Sequence, residues 1–244
     1  MTFFEHLDEL RKRLLWSLAA VFVFTAMGCF LADKALRVLA WPIYKELGPI
    51  YFFSPTEAFI IKMKVAFLIG ILLSSPVVIS QIWQFISPAL YEKEKKIFIP
   101  LVLITSFLFL FGVFFAYFFV VPFALKFLLG LQTEFLKPMI SMENYISFLT
   151  SLLISFGIAF NMPVFVTAAV SLGLVSTKFL NKYQRHIIVL IFIAAAVLTP
   201  GPDIFSQLML AIPLLLLFEL SILCAKVVEP KKNQKRPVVY EAKT

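Results

Sequence analysis

Six runs in this sequence are too apolar to sit in water, and they decide what the chain can fold into. A helix crosses a bilayer with about 20 mostly apolar residues, because the hydrocarbon core is about 30 Å thick and each residue rises about 1.5 Å. The predicted spans are Leu14–Leu31, Ala58–Ile82, Ile97–Val121, Tyr145–Leu172, Ile187–Leu198 and Ile204–Ala225. Hydrophobic residues make up 61% of the chain and charged ones 15%, whereas a soluble domain is about one quarter charged. The expected class is an all-α polytopic membrane protein with six transmembrane helices. Residues 1–226 are expected to form one membrane domain, and the polar, lysine-rich segment 227–244 a disordered tail. The fifth run is the odd one. Its twelve residues cover only about 18 Å as a helix, so the last two helices are expected to be short and joined by a tight hairpin through "TPGPD" (Thr199–Asp203). Such a hairpin either thins the bilayer or lies behind longer neighbours.

Lysine and arginine set the orientation. Arg11, Lys12, Arg13, Lys93, Lys95, Lys96, Lys178, Lys182, Arg185 and the six cations from Lys226 to Lys243, fifteen in all, fall on one side of the alternating runs. Lys34, Arg37, Lys45, Lys62, Lys64, Lys126 and Lys137, seven in all, fall on the other. Both termini are therefore expected in the cytoplasm. The net charge of +8 lies between apolar runs rather than along one soluble face, which argues against nucleic acid as a partner.

The segments between the spans carry their own patterns. "EHLDELRKRLL" (Glu5–Leu15) is amphipathic, with Leu7, Leu10 and Leu14 on one face and Glu5, Asp8, Glu9 and Arg11 supplying the other. Leu36, Leu39, Ala40 and Ile43 recur at helical spacing, which predicts a short separate helix in the outer interface. "SPTE" (Ser54–Glu57) reads as a capping box starting the second helix, from whose first turns Lys62 and Lys64 are expected to snorkel outward. "FALKFLLGL" (Phe123–Leu131) is a second candidate outer cover. Pro76, Pro100, Pro163 and Pro213 interrupt the spans, read either as ordinary tolerance or as a source of curvature.

Polar groups inside lipid are functional candidates. Asn161 lies within the fourth span, where its amide bonds the Ala159 carbonyl freed by Pro163, bonds a neighbouring helix, or forms part of a site. Thr199 and Gln207 flank the hairpin and could join a polar cluster with it, while Glu219 is expected to reach the inner interface. No HExxH, GxSxG or P-loop pattern occurs, and His6 and His186 lack ligand spacing, so no enzyme activity, metal or cofactor is expected. Cys29 and Cys224 fall in different spans, near opposite faces, and are expected unpaired; "AMGC" before Cys29 is read as helix rather than a lipidation signal. On the inner side, "YEKEKK" sets Glu92 and Glu94 among lysines close to Phe85. Alone that reads as a solvated helix start; beside the charged N-terminal segment it reads as an acceptor for guanidinium groups.

Four stretches then resemble one family in the same order: "HLDELRKRL", "SQIWQFISPALYEKEKK", "FGIAFNMPV" and "LTPGPDIFSQLMLAIPLLLLFELSI". They are similar to TatC, the multispanning receptor subunit of the twin-arginine protein translocase. The resemblance implies six spans with both termini cytoplasmic and a concave groove, in a bacterial inner membrane. It implies a receptor that binds paired-arginine signal peptides and passes folded proteins, drawing on the proton-motive force. By position it implies Glu94 as the carboxylate for the arginine pair, Phe85 as the recognition aromatic, and Glu9, Arg11 and Arg13 as the functional N-terminal segment. Pro42 and Pro76 match structural prolines and Asp203 the hairpin acid. Thr199 and Gln207 match positions linked to small single-span partner subunits of the TatA/TatB type, and self-association in a larger complex is expected. The chain departs from the pattern at Asn161, where the family usually has a glutamate, and in a hairpin one residue longer. The rival from another class is a proton- or ion-coupled solute transporter, which needs a connected polar route at the midplane.

Overall fold

A computed structural model describes residues 3–228 apart from 49, 52, 87–97, 131–138, 172, 174 and 199–203. The described residues are helical, with no sheet among them: α1 (Phe3–Leu47), α2 (Pro55–Ile86), α3 (Phe98–Phe115), α4 (Val121–Gly130), α5 (Met142–Ala159), α6 (Met162–Ser171), α7 (Thr177–Leu198) and α8 (Ile204–Val228). Six helical stretches are long and apolar enough to cross a membrane. Phe22, Phe30, Phe107 and Val197 project outward, as a lipid-facing surface requires. The core lies between α1, α2, α5 and α8, around Ile43, Val65, Ile146, Leu149, Phe156 and Phe218.

Three expectations are corrected. The N-terminal segment, the first span and the predicted interface helix are one helix of 45 residues, about 68 Å long. Leu39 and Ile43 are buried in the core rather than laid on lipid. The fifth span is likewise longer than its apolar run. Polar residues from Thr177 onward complete a helix of 22 residues, about 33 Å long; hydropathy alone had counted only its apolar part. Lys62 and Lys64 do not simply snorkel. Lys62 pairs with Asp33 at 2.8 Å, and Lys64 reaches Glu143 at 2.8 Å and the Ser147 hydroxyl at 2.7 Å. Phe123–Gly130 of the second candidate cover lies in α4, which buries Ala124, Leu125 and Leu129 and packs on α1 and α8; Leu131 lies outside the described residues.

Two of the prolines, Pro42 and Pro76, are accommodated by neighbouring hydroxyls. Pro42 lies inside α1 and offers no N–H to the Val38 carbonyl one turn earlier. The Tyr117 hydroxyl donates to that carbonyl at 2.5 Å. One residue along, the buried Tyr145 hydroxyl donates to the Leu39 carbonyl at 2.7 Å. In α2, Pro76 frees the Leu72 carbonyl, and the Ser75 hydroxyl takes it at 2.8 Å. Ala116–Val120 widens into a π turn between α3 and α4, directly before Pro122, and this turn carries Tyr117. Tyr145→Phe strands a buried carbonyl and is expected to cost about 1–2 kcal/mol. Tyr117→Phe is expected to cost a similar amount: that bond is exposed at the bundle surface, and a surface facing lipid offers the Val38 carbonyl no other donor. Denaturant titration of the two variants in one detergent checks the magnitudes.

At the end of the bundle away from the N terminus, the expected capping box is modified. The Glu57 carboxylate reaches past Ser54 to accept from the Phe53 N–H at 2.6 Å, and Ser54 Oγ pairs with Thr56 instead. The second Glu57 oxygen accepts from the Glu143 N–H at 3.1 Å, in the first turn of α5. One buried carboxylate thus serves two helix N-termini, where negative charge is favoured. It fixes α2 against α5 and so sets the frame in which the opposite corner is built.

Candidate functional site

At the N-terminal end of the bundle, α1 and the last turns of α2 meet through polar side chains. His6, Glu9 and Arg13 recur at helical spacing on one face of α1. The Arg13 guanidinium donates to Gln84 Oε1 at 2.5 Å and to Gln81 Oε1 at 3.3 Å, and it pairs with Glu9 Oε1 at 3.3 Å. Gln81 and Gln84 are one turn apart on α2, so the planar fork bridges the two helices. The Glu9 side chain is only 18% exposed. Its second oxygen is buried, and neither it nor Arg13 Nε has a hydrogen-bond partner among the described residues. One turn nearer the terminus, the His6 ring stacks on Phe85 with centroids 4.4 Å apart and planes 21° from parallel.

The corner therefore holds Glu9, Arg13 and Phe85 together. Arg11 lies two residues from both Glu9 and Arg13, on the other side of the helix, exposed beside Asp8 and Lys12. Glu92 and Glu94 lie outside the described residues. The amphipathic reading of the N terminus is inverted in part. Leu7, Leu10 and Leu14 point outward, and it is the polar stripe that packs against α2. Sequence reasoning missed His6, Gln81 and Gln84. The signals were available: the i, i+3, i+7 spacing of His6, Glu9 and Arg13, and two glutamines three apart at the end of an apolar helix.

The second polar locus is the break in the fourth span. The Asn161 backbone N–H turns to the Ile158 carbonyl at 3.0 Å, which leaves the Gly157 carbonyl without its usual donor. The Asn161 side chain supplies that donor through Nδ2 at 3.1 Å. Its bond is thus to Gly157, not to the Ala159 carbonyl expected from the proline. The Asn161 carbonyl then accepts from Val164 and Phe165, both at 3.1 Å, and restarts the helix as α6. Asn161 is buried, and its Oδ1 has no hydrogen-bond partner among the described residues. The expected cluster of Asn161 with Gln207 does not form: Gln207 Nε2 donates to the Phe192 carbonyl at 2.8 Å, tying α8 to α7. Thr199 and Asp203 lie outside the described residues. Glu219 is exposed and accepts from Gln184 of α7.

Comparison with known proteins gives this geometry a family. The family model described as Sec-independent protein translocase protein (TatC) matches residues 5–213. The chain belongs to the TatC family. The TatC of Carboxydothermus hydrogenoformans is 40% identical over 232 residues, covering 95% of this chain and 96% of the relative. That of Aquifex aeolicus is 41% identical over 234 residues, covering 94% and 97%. A crystal structure of a twin-arginine translocase receptor, TatC, superposes with a TM-score of 0.84 at 40% identity, covering 92% of this chain and all of that one. The TatC assignment accounts for the all-helical, multi-pass architecture, and it leaves the solute-transporter alternative without support.

Proposed function

We propose that this chain is the core receptor and scaffold of a twin-arginine translocase, capturing paired-arginine signal peptides at the cytoplasmic face. Both termini are then cytoplasmic, residues 1–226 are one membrane domain, and 227–244 are a cytoplasmic tail. The observation that carries the reading is the state of Glu9. One oxygen is spent on Arg13, the other is buried and without a partner among the described residues, and an aromatic stack lies one turn away. A buried carboxylate oxygen without a donor costs free energy unless a cation completes it. Guanidinium groups suit such a corner, because they bind carboxylates by paired hydrogen bonds and stack on rings. Glu94 supplies the main carboxylate and Glu9 the second. Phe85 covers the apolar residues that follow the arginine pair.

The chain itself acts as a receptor rather than as an enzyme. Small single-span subunits of the TatA/TatB type pack against α5–α8, with Thr199 and Gln207 as the polar positions linked to them, while the buried Asn161 shapes the break between α5 and α6. Asn161 contributes a polar contact but no proton, so transport driven by proton-motive force draws its titrating group from elsewhere. A scan with a photoreactive residue tests the orientation and the corner together. A twin-arginine peptide is expected to crosslink at Glu5 and Ile86 and not at Trp41 or Tyr51. Its twin-lysine counterpart crosslinks far less, since an ammonium cannot form the paired fork. Capture at Trp41, or equal capture of the two peptides, overturns the proposal.

A further inference from the structure

The face away from the N terminus spends cations that topology would rather place inside. Two of them, Lys62 and Lys64, are consumed by ion pairs. Three others behave differently. Arg37 and Lys45, from the last third of α1, and Lys126, from α4, form no ion pair among the described residues, yet they line one concavity of about 520 Å³. Trp41 and Tyr117 complete its wall, and Glu46 is the single anion among the described lining residues. Bringing three like charges together is unfavourable without an anion between them.

The concavity has a structural origin. Pro42 and Pro122 line it, one inside α1 and one directly after the π turn. The Tyr117 hydroxyl is committed to the Val38 carbonyl, which locks α1 to that turn. The wall also holds Val38 and Phe118, both exposed to the surroundings of the bundle. Along α1 the lining runs from Arg37 and Val38 through Trp41, one turn on, to Lys45, one turn beyond that, so cations flank an aromatic and apolar wall. Cations beside an exposed tryptophan and apolar side chains suit a lipid at the interface.

We propose that this concavity is a binding site for an anionic phospholipid of the leaflet away from the N terminus. Its phosphate lies among Arg37, Lys45 and Lys126, and its acyl chains run along Val38 and Phe118. The bound lipid offsets the mutual repulsion of the three cations and fills the space between the outer half of α1 and α4. The lipid acts as a structural ligand of the outer face. The inference is independent of signal-peptide capture, since it uses no residue of the N-terminal corner.

Trp41 reports on the site directly. The full chain is placed in nanodiscs of zwitterionic lipid, with either an anionic or a zwitterionic lipid brominated along its chains. The quenching assigned to Trp41 is the part lost in Trp41→Phe. A net excess of two positive charges predicts that the anionic lipid is preferred on the order of 20-fold, and each of Arg37→Gln, Lys45→Gln and Lys126→Gln lowers that preference about fivefold. Glu46→Gln raises it about fivefold, a change that unfolding could not produce. Glycerophosphate at millimolar concentration leaves the preference unchanged, because it lacks the acyl chains. Equal quenching by both lipids, a preference that survives the triple glutamine variant, or displacement by glycerophosphate each overturns the assignment.

Discussion

Phe85→Ala is expected to weaken capture of a twin-arginine peptide by about 2 kcal/mol, roughly 30-fold, because aromatic anchors dominate binding energy. The fold should survive. The last turns of α2 are held to α1 by Arg13 through Gln81 and Gln84, and none of those bonds involves the Phe85 ring. What the substitution removes is the surface on which His6 stacks, and with it the apolar cover beside Glu9. Glu94→Ala is expected to weaken capture by a similar amount, since charge-assisted hydrogen bonds contribute about 1.5–3 kcal/mol. The two losses combine to bring crosslinking of the peptide to background. Peptide binding measured beside the unfolding midpoint separates the effects. Unchanged binding in both variants with an unchanged midpoint would remove the corner from the recognition site. Loss of binding together with a collapsed midpoint would instead make Phe85 structural.

How much of this was readable beforehand follows from which physics each element depends on. The spans were legible, because hydropathy over some twenty residues reports the solvent directly. Helix limits were not. Nothing local ends α1 between Leu31 and Leu36, since Asp33 and Lys34 are tolerable in a helix once they clear the bilayer. The break at Asn161 was half legible. Pro163 announces it, but spacing from the proline points only to the Ala159 carbonyl, whereas the turn at Ile158 opens the Gly157 carbonyl, which the Asn161 amide takes. The hydroxyls that serve Pro42 could not have been found from spacing: Tyr117 and Tyr145 are 79 and 106 residues away from the carbonyls they bind. The corner illustrates the same limit. Glu9, Arg13 and Phe85 were singled out, while Gln81 and Gln84, which hold the arginine in place, become visible only when α1 and α2 are laid together.

That laying together depends on two missing side chains, at Gly28 of α1, where a Cβ would stand 2.6 Å from the Ala66 carbonyl oxygen, and at Gly70 of α2, whose replacement should have the largest effect on the fold. A Cβ built on Gly70 would stand 2.1 Å from Thr25 Oγ1 and 2.8 Å from both the Thr25 Cα and backbone N. Helices in lipid associate through such close backbone approach, since no hydrophobic drive separates them from the tails. Two effects oppose one another in Gly70→Ala. Helix propensity favours alanine by about 1 kcal/mol. Overpacking opposes it by about 1–3 kcal/mol, or more where backbone cannot yield. Here two of the three contacts are with backbone, so the steric cost wins, and Gly70→Leu should leave no stable α1–α2 pair. Thr25→Ala removes only the hydroxyl contact and rescues Gly70→Ala incompletely. Gly130, at the end of α4, has nothing within 4 Å among the described residues. There propensity acts alone, and Gly130→Ala should be neutral or stabilising by up to about 1 kcal/mol. Thermal denaturation of the pair decides the matter. Equal midpoints for Gly70→Ala and Gly130→Ala would mean that α1 and α2 are not held at this distance, and the Arg13 bridge, which requires it, would lose its basis.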